Sequence, residues 1–193
     1  QNLINTINEM VSHNKDLNIC LDLRKSPIGD QDVKDLVNNL EQCKISELNL
    51  DHTKITGESA EAIAQALSKF KITKLDLSFV KKPDDRTADH SPDKIALAIA
   101  RELKQSKLTE LNLGNSYISE EGTRAICDAL SQSRLTYLNL AGCDFDTAGI
   151  VSLSDALPKS KLADLNLGNY MIDEGHVSII AESLAQSPRL KRL

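Results

Sequence analysis

LTELNLGNSYISEEGTRAICDALSQSR (108–134) is followed directly by LTYLNLAGCDFDTAGIVSLSDALPKSK (135–161) and LADLNLGNYMIDEGHVSIIAESLAQSP (162–188). Leu108, Leu135 and Leu162 are 27 residues apart. A fixed period of this size means stacked structural repeats, each burying its apolar faces against its neighbours. The period continues towards the N-terminus. Ile45, Leu48 and Leu50 stand 27 residues before Ile72, Leu75 and Leu77. Leu21, Leu23 and Ile28 stand 27 before Leu48, Leu50 and Ile55. From Ile72 to Leu108 the step is 36, one period plus nine residues. Leu190-Lys-Arg-Leu193 starts another copy, one residue out of step.

Each unit has two halves. L-x-x-L-x-L alternates apolar and polar residues, the pattern of a short strand. The second half spaces its apolar residues helically: Ala125, Ile126, Ala129 and Leu130 form one stripe, repeated by Ile63, Ala66 and Leu67 and by Ile99 and Leu103. The expected fold is α/β, a curved solenoid with parallel strands on the concave face and helices on the convex face. One domain is expected over 1–193. Residues 1–16 form a helical cap or partial repeat, and 17–193 are repeats with an inserted loop at 79–91. Leu3, Ile4, Ile7, Met10 and Val11 give the first segment its helical spacing. The chain is expected to be a fragment of a longer protein, because LKRL would leave a bare strand edge.

The pattern LxxLxLxxxxI followed by a helix resembles the leucine-rich repeat over roughly residues 17–193. Its period and helical second half are similar to the ribonuclease-inhibitor type, found in NOD-like receptors and in effectors of intracellular bacteria. One departure stands out: the family's Asn or Cys at the ninth position is Thr53, Ser116, Cys143 and Tyr170 here, and only Cys143 conforms. The resemblance implies a protein-binding scaffold. The Asn-, Lys-, Ile- and Ser-rich composition points to the domain of a bacterial effector acting in the host cytoplasm. The alternatives are a GTPase-activating or other regulatory protein of the same repeat type, with Arg86 as the candidate catalytic group, or the ligand-sensing domain of a cytosolic receptor. Ubiquitin-ligase effectors with leucine-rich domains use shorter repeats without convex helices, so this chain departs from them.

Composition narrows the partners. The net charge is −5, which disfavours nucleic acid. Aromatic residues are only 3% and Trp is absent, so platforms for stacking bases are missing. IALAIA (95–100) is too short to span a bilayer. No signal peptide is visible. Cys20, Cys43, Cys127 and Cys143 show no CxxC spacing and read as reduced thiols packed as small hydrophobes, and no N-x-S/T sequon occurs, both of which lean towards an intracellular compartment. His13, His52, His90 and His176 fall on different repeats and phases, and HxxxH, GxSxG and phosphate-loop motifs are absent. The expectation is therefore no enzyme, no metal and no cofactor.

Alternation along each strand places the residues between leucines on the concave face, in columns across the sheet. The central column reads Asp22, Asn49, Asp76, Asn112, Asn139, Asn166. In it an amide always separates carboxylates, which avoids like-charge repulsion. A second column reads Cys20, Glu47, Lys74, Glu110, Tyr137, Asp164, Arg192, and a third Arg24, Asp51, Ser78, Gly114, Ala141, Gly168. Glu47, Lys74 and Glu110 are expected to pair, as are Arg24 and Asp51. The C-terminal half of the face then lacks basic neighbours for Glu110 and Asp164. Tyrosine is favoured at binding hot spots. The candidate partner-binding patch is therefore Glu110, Tyr137, Asn139, Asp164 and Asn166, with Tyr117 and Tyr170 just beyond the strands, and it suits a protein with a basic surface. A rival site is the inserted rim loop, with Lys81, Lys82, Asp84, Asp85 and Arg86, since long loops on rigid scaffolds often carry function.

Overall fold

The fold is taken from a computed structural model, which describes residues 5, 6, 9, 18–40, 44–80, 91–168 and 174–193. From Asn18 onward, the described residues form six strands alternating with six α-helices. The order is β1 (Asn18–Asp22), α1 (Asp30–Asn39), β2 (Lys44–Asn49), α2 (Ala60–Lys69), β3 (Lys74–Asp76) and α3 (Ser91–Leu103). It continues with β4 (Glu110–Asn112), α4 (Glu120–Leu130), β5 (Tyr137–Asn139), α5 (Thr147–Ala156), β6 (Asp164–Asn166) and α6 (Glu174–Ala185). The strands form one parallel sheet in sequence order, β1 to β6. Short 3₁₀ turns, Gly57–Ser59 and Leu157–Lys159, flank α2 and α5.

Register follows the repeat. Leu21 pairs with Leu48, Leu48 with Leu75, Leu75 with Leu111, Leu111 with Leu138 and Leu138 with Leu165. The 36-residue step therefore leaves the pairing of β3 with β4 undisturbed. The strand leucines form the core beneath the helices: Leu111, Leu138 and Leu140 have no exposed surface. The helices from α1 to α6 pack side by side in sequence order, which closes the solenoid's convex layer. In α4 the buried stripe is Gly122, Thr123, Ile126, Cys127 and Leu130. It is rotated from the expected stripe: Ala125 and Ala129 are only partly buried. Small residues are what the close approach of α4 demands, since a Cβ on Gly122 would lie 2.5 Å from Ile118 Cγ2 and 2.5 Å from Asp93 Oδ1.

The turns after the strands share one conformation. Lys25, His52, Phe79, Asn115 and Gly142 all have φ between 53° and 68°, and they recur in step with the repeat. Each donates its backbone N–H to the next repeat: Lys25 to Asp51 O, His52 to Ser78 O, Phe79 to Gly114 O, Asn115 to Ala141 O and Gly142 to Gly168 O. The left-handed residue thus carries the ladder one step past the strand. The ninth position completes the turn. Ser26 Oγ donates to Leu23 O (2.5 Å), Thr53 Oγ1 to Leu50 O (2.7 Å), Ser116 Oγ to Leu77 O (2.6 Å) and Cys143 Sγ to Leu113 O (3.3 Å). Hydroxyl or thiol donors therefore do the work of the family's Asn. Val80 occupies this position in the third repeat and cannot donate, and Ser116 of the next repeat supplies the missing bond.

A buried serine joins helix to strand in the later repeats. Ser106, Ser133 and Ser160 each donate Oγ to a helix-end carbonyl and accept the N–H of the first strand leucine two residues on. Of the four cysteines, Cys127 and Cys143 are buried as expected, with burial pushing both thiols up. Cys20 is exposed on the concave face, because it sits at an outward strand position; the expectation that it packs as a hydrophobe is corrected. Cys43 lies outside the described residues. So does most of 1–16, where Asn5, Thr6 and Glu9 are helical. Of the expected insertion at 79–91, Phe79 and Val80 belong to the turn, 81–90 lie outside the described residues, and Ser91 is the first residue of α3.

Leu138 has no exposed surface in the middle of the sheet. Leu138→Ala leaves a cavity there and is expected to cost roughly 2–5 kcal/mol in urea unfolding. A loss well under 1 kcal/mol would contradict the packing described.

Candidate functional site

The central column is a hydrogen-bonded ladder. In every strand its Oδ1 accepts the backbone N–H two residues on. The donors are Arg24, Asp51, Ser78, Gly114, Ala141 and Gly168, at 2.9–3.3 Å. The amides also link strands: Asn112 Nδ2 donates to Asp76 Oδ2 and Asn139 Nδ2 to Asn112 Oδ1, both at 2.9 Å. A carboxylate beside an amide makes this bond where two carboxylates would repel. Asn139 and Asn166, both in the candidate patch, therefore hold strand ends through Oδ1. Asn166 is the more exposed.

The second column is chemically mixed. Cys20 Sγ lies 3.3 Å from Glu47 Oε2, and this hydrogen bond, then burial, then the Glu47 charge raise the thiol above its ordinary value. Lys74 Nζ lies between Glu110 Oε1 at 3.3 Å and Glu47 Oε1 at 3.8 Å. The hydrogen bond to Glu110 and the two carboxylate charges raise the Lys74 ammonium. Tyr137 follows, half-buried. Burial first, then the Asp164 carboxylate, raise its phenol above the ordinary 10.0. Asp164 closes the run in an ion pair with Arg192.

Two expectations are corrected here. Glu110 and Asp164 do have basic neighbours, Lys74 and Arg192, so the C-terminal half of the face is charge-paired like the rest. Arg24, in the turn just past β1, pairs with Asp22 at the strand's end, Nη2 to Oδ2 at 2.6 Å, and the pair expected with Asp51 does not form. Residues i and i+2 share a strand face, and that neighbour wins over the one across the sheet. Asp51 instead accepts from Ser78 Oγ (3.1 Å) and meets His52 Nδ1 (2.5 Å). The expected pairing of Glu47, Lys74 and Glu110 is present.

The structure brings Glu110, Tyr137, Asn139, Asp164 and Asn166 together on neighbouring strands β4, β5 and β6. It places Tyr117 beyond the end of β4, 62% exposed and with φ 52°. Tyr170, Lys81, Lys82, Asp84, Asp85 and Arg86 lie outside the described residues. A shallow groove runs along the face from Asp22 and Arg24 past Lys74 and Asp76 to Glu110 and Tyr137. Its centre lies further towards the N-terminus than the candidate patch. The small residues do not all leave free space. A Cβ on Gly114 would stand 2.8 Å from Asn139 Nδ2 and 3.2 Å from Asn112 Oδ1, so the ladder already fills that gap. Among the described residues, no group of three or more His, Cys, Asp or Glu could hold a metal, and no helix is long and apolar enough to cross a membrane.

Gly114→Ala is expected to push the Asn112–Asn139 bond apart and lower stability by about 1 kcal/mol, read by urea denaturation. Asp164→Asn removes one of the charges facing Tyr137. Its phenol should then titrate closer to 10.0, yet stay above it because burial remains. Tyrosine-ring NMR against pH checks both the direction and the remainder.

The family model described as "Leucine Rich repeat" matches residues 41–64 and 133–154. No curated protein matches the sequence. Among solved structures, the tropomodulin C-terminal domain of Caenorhabditis elegans is similar, with TM-score 0.55 and 11% identity over 95% of this chain and 92% of that one. The structure titled "Leiomodin-1 Actin-Binding Site 2 (ABS2)" has TM-score 0.49 and 18% identity over 92% of this chain and 86% of that one. The likeness to tropomodulin at this identity concerns the fold. Six strands in repeat register, each followed by a helix, give the chain a leucine-rich repeat fold, and two of its segments resemble that family in sequence.

Proposed function

We propose that this chain is a protein-binding scaffold that presents its concave sheet face to a partner with a basic surface. One observation carries the reading: a fixed excess of carboxylates on that face. Asp22, Glu47, Asp51, Asp76, Glu110 and Asp164 stand there against Arg24, Lys74 and Arg192, on strands held in register by the ladder. The pairing of Glu110 and Asp164 is no obstacle. Exposed ion pairs are worth about 0–1 kcal/mol, so a partner's cation replaces Lys74 or Arg192 at little cost. Tyr137 supplies a half-buried amphipathic ring on the same face.

The 27-residue period with one helix per repeat supports the ribonuclease-inhibitor type. The Asn-, Lys-, Ile- and Ser-rich composition supports the domain of a bacterial effector working in host cytoplasm. Capture of partners from host-cell lysate, followed by titration of the captured protein, tests the whole reading.

Tyr137→Ala should weaken that titrated affinity by more than about 1–2 kcal/mol, while folding stability falls by less than that. Gly168→Arg should block the same surface by bulk. Added salt should slow association, because steering by the acidic face is screened. Affinity that survives both substitutions unchanged would remove the concave face as the binding surface.

A further inference from the structure

The left-handed turn position is filled unequally. In the fourth and fifth repeats it holds Asn115 and Gly142, residues that tolerate positive φ. In the first three it holds Lys25, His52 and Phe79, at φ 58°, 53° and 54°. Histidine visits this conformation more readily than most side chains, but lysine and phenylalanine are rare in it and are held there against a local energy cost. They are also on view. Phe79 is 44% exposed and stacks on His52 with ring centroids 4.2 Å apart. Tyr117, at φ 52° and 62% exposed, lies one residue past Ser116, whose hydroxyl meets the backbone N–H of Val80. In a chain with only six Phe and Tyr residues and no Trp, two of those rings therefore stand exposed at positive φ, with an exposed histidine, along one rim of the sheet. Packing does not demand these residues, because neighbouring repeats make the same turn without them.

The charge beside the rings has a definite sign. Lys25 holds the adjacent left-handed position, and Lys54 follows Thr53 at the same end of the strands. Both are exposed, and neither forms an ion pair among the described residues. Among the described residues, the carboxylate at the rings is Asp51, which meets His52 Nδ1 and accepts from Ser78 Oγ. The described rim thus sets two unpaired ammonium groups against one carboxylate beside its rings, the reverse of the balance on the concave face. We propose that His52, Phe79 and Tyr117, flanked by Lys25 and Lys54, form a second interaction surface that takes an extended acidic segment of a partner protein carrying aromatic or aliphatic side chains. Rings stack on the segment's apolar side chains, and the two ammonium groups meet its carboxylates. This surface stands or falls separately from the concave one.

The test uses the full 193-residue chain and two short fluorescein-labelled peptides, one of glutamates interspersed with single phenylalanines, the other with lysines in place of the glutamates. Fluorescence anisotropy at low salt should show the glutamate peptide binding at least about fivefold more tightly than the lysine peptide. Phe79→Asn installs the side chain that the chain itself uses at position 115. It should weaken the glutamate peptide by about fivefold or more while the melting temperature holds or rises by about 2–4 °C. Lys25→Glu and Lys54→Glu should each weaken it as well, and Tyr137→Ala should leave it unchanged. Equal or absent binding of the glutamate peptide overturns the proposal. So does a Phe79→Asn variant that melts lower with affinity intact, because the ring would then serve packing alone. Loss of the glutamate peptide in Tyr137→Ala, with Phe79→Asn silent, would move the acidic ligand to the concave face and also overturn it.

Discussion

One hydrogen bond recurs in every repeat, and the others follow from it. The oxygen of an Asp or Asn between two strand leucines accepts the backbone N–H two residues on, from Asp22 in β1 to Asn166 in β6. It ends the strand after a few residues and bends the chain into an Asx-type turn. The turn places the following residue in the left-handed region, where its N–H reaches the next repeat. It then drops a Ser, Thr or Cys inward to satisfy a strand-end carbonyl. Only then does the chain face the helix layer. Both Asp and Asn supply the oxygen, but only Asn also supplies a donor to the strand before it. That explains the mixed column: Asp76 is tolerated because Asn112 donates to it.

Such a sheet is rigid where it faces outward. In a solenoid each repeat touches only its neighbours, so position is fixed locally and passed along. Side chains on the concave face inherit that fixity. Lys74 sits between two glutamates, and Tyr137 between Glu110 and Asp164, because register leaves them no other company. A partner meeting this face finds carboxylates already in place, and association loses less freedom in ordering them. The ion pairs contribute little to folding at this exposure. Their effect is to hold long side chains upright.

The register of the strand leucines was legible, because a constant step between them leaves one way to pair the strands, and the longer step at Ile72 to Leu108 could be absorbed only in a connection; the one-residue shift between Ile19 and Cys20 against β2 left no such signal. The columns were legible for the same reason. Partner choice within them was not. Arg24 has carboxylates at the end of β1 and across the sheet, and its rotamer decides for Asp22. Arg192 reaches Asp164 only once the last short segment adds to the sheet beside β6. The left-handed turn positions were hidden because Lys, His and Phe give no hint of positive φ, and only a fold that repeats the turn reveals them. The buried serines at 106, 133 and 160 did leave a signal, a hydroxyl recurring with the period just past each helix. It passed unread because serine after a helix also suits an ordinary exposed loop.

The insertion shows what this construction permits. Nine extra residues enter between β3 and α3, yet β3 pairs with β4 in the same register as any other neighbours. The reason lies in the turn. Before the extra residues begin, Phe79 has already donated its N–H to Gly114 O, and Leu77 O has already been capped by Ser116. The backbone bonds between β3 and β4 are thus made by described residues on either side of the inserted segment. The same separation holds at the rim. The turn requires positive φ and one N–H, and it leaves the side chain unspecified. Three repeats use that freedom to expose a lysine, a histidine and a phenylalanine in place of the asparagine or glycine that the backbone alone would favour.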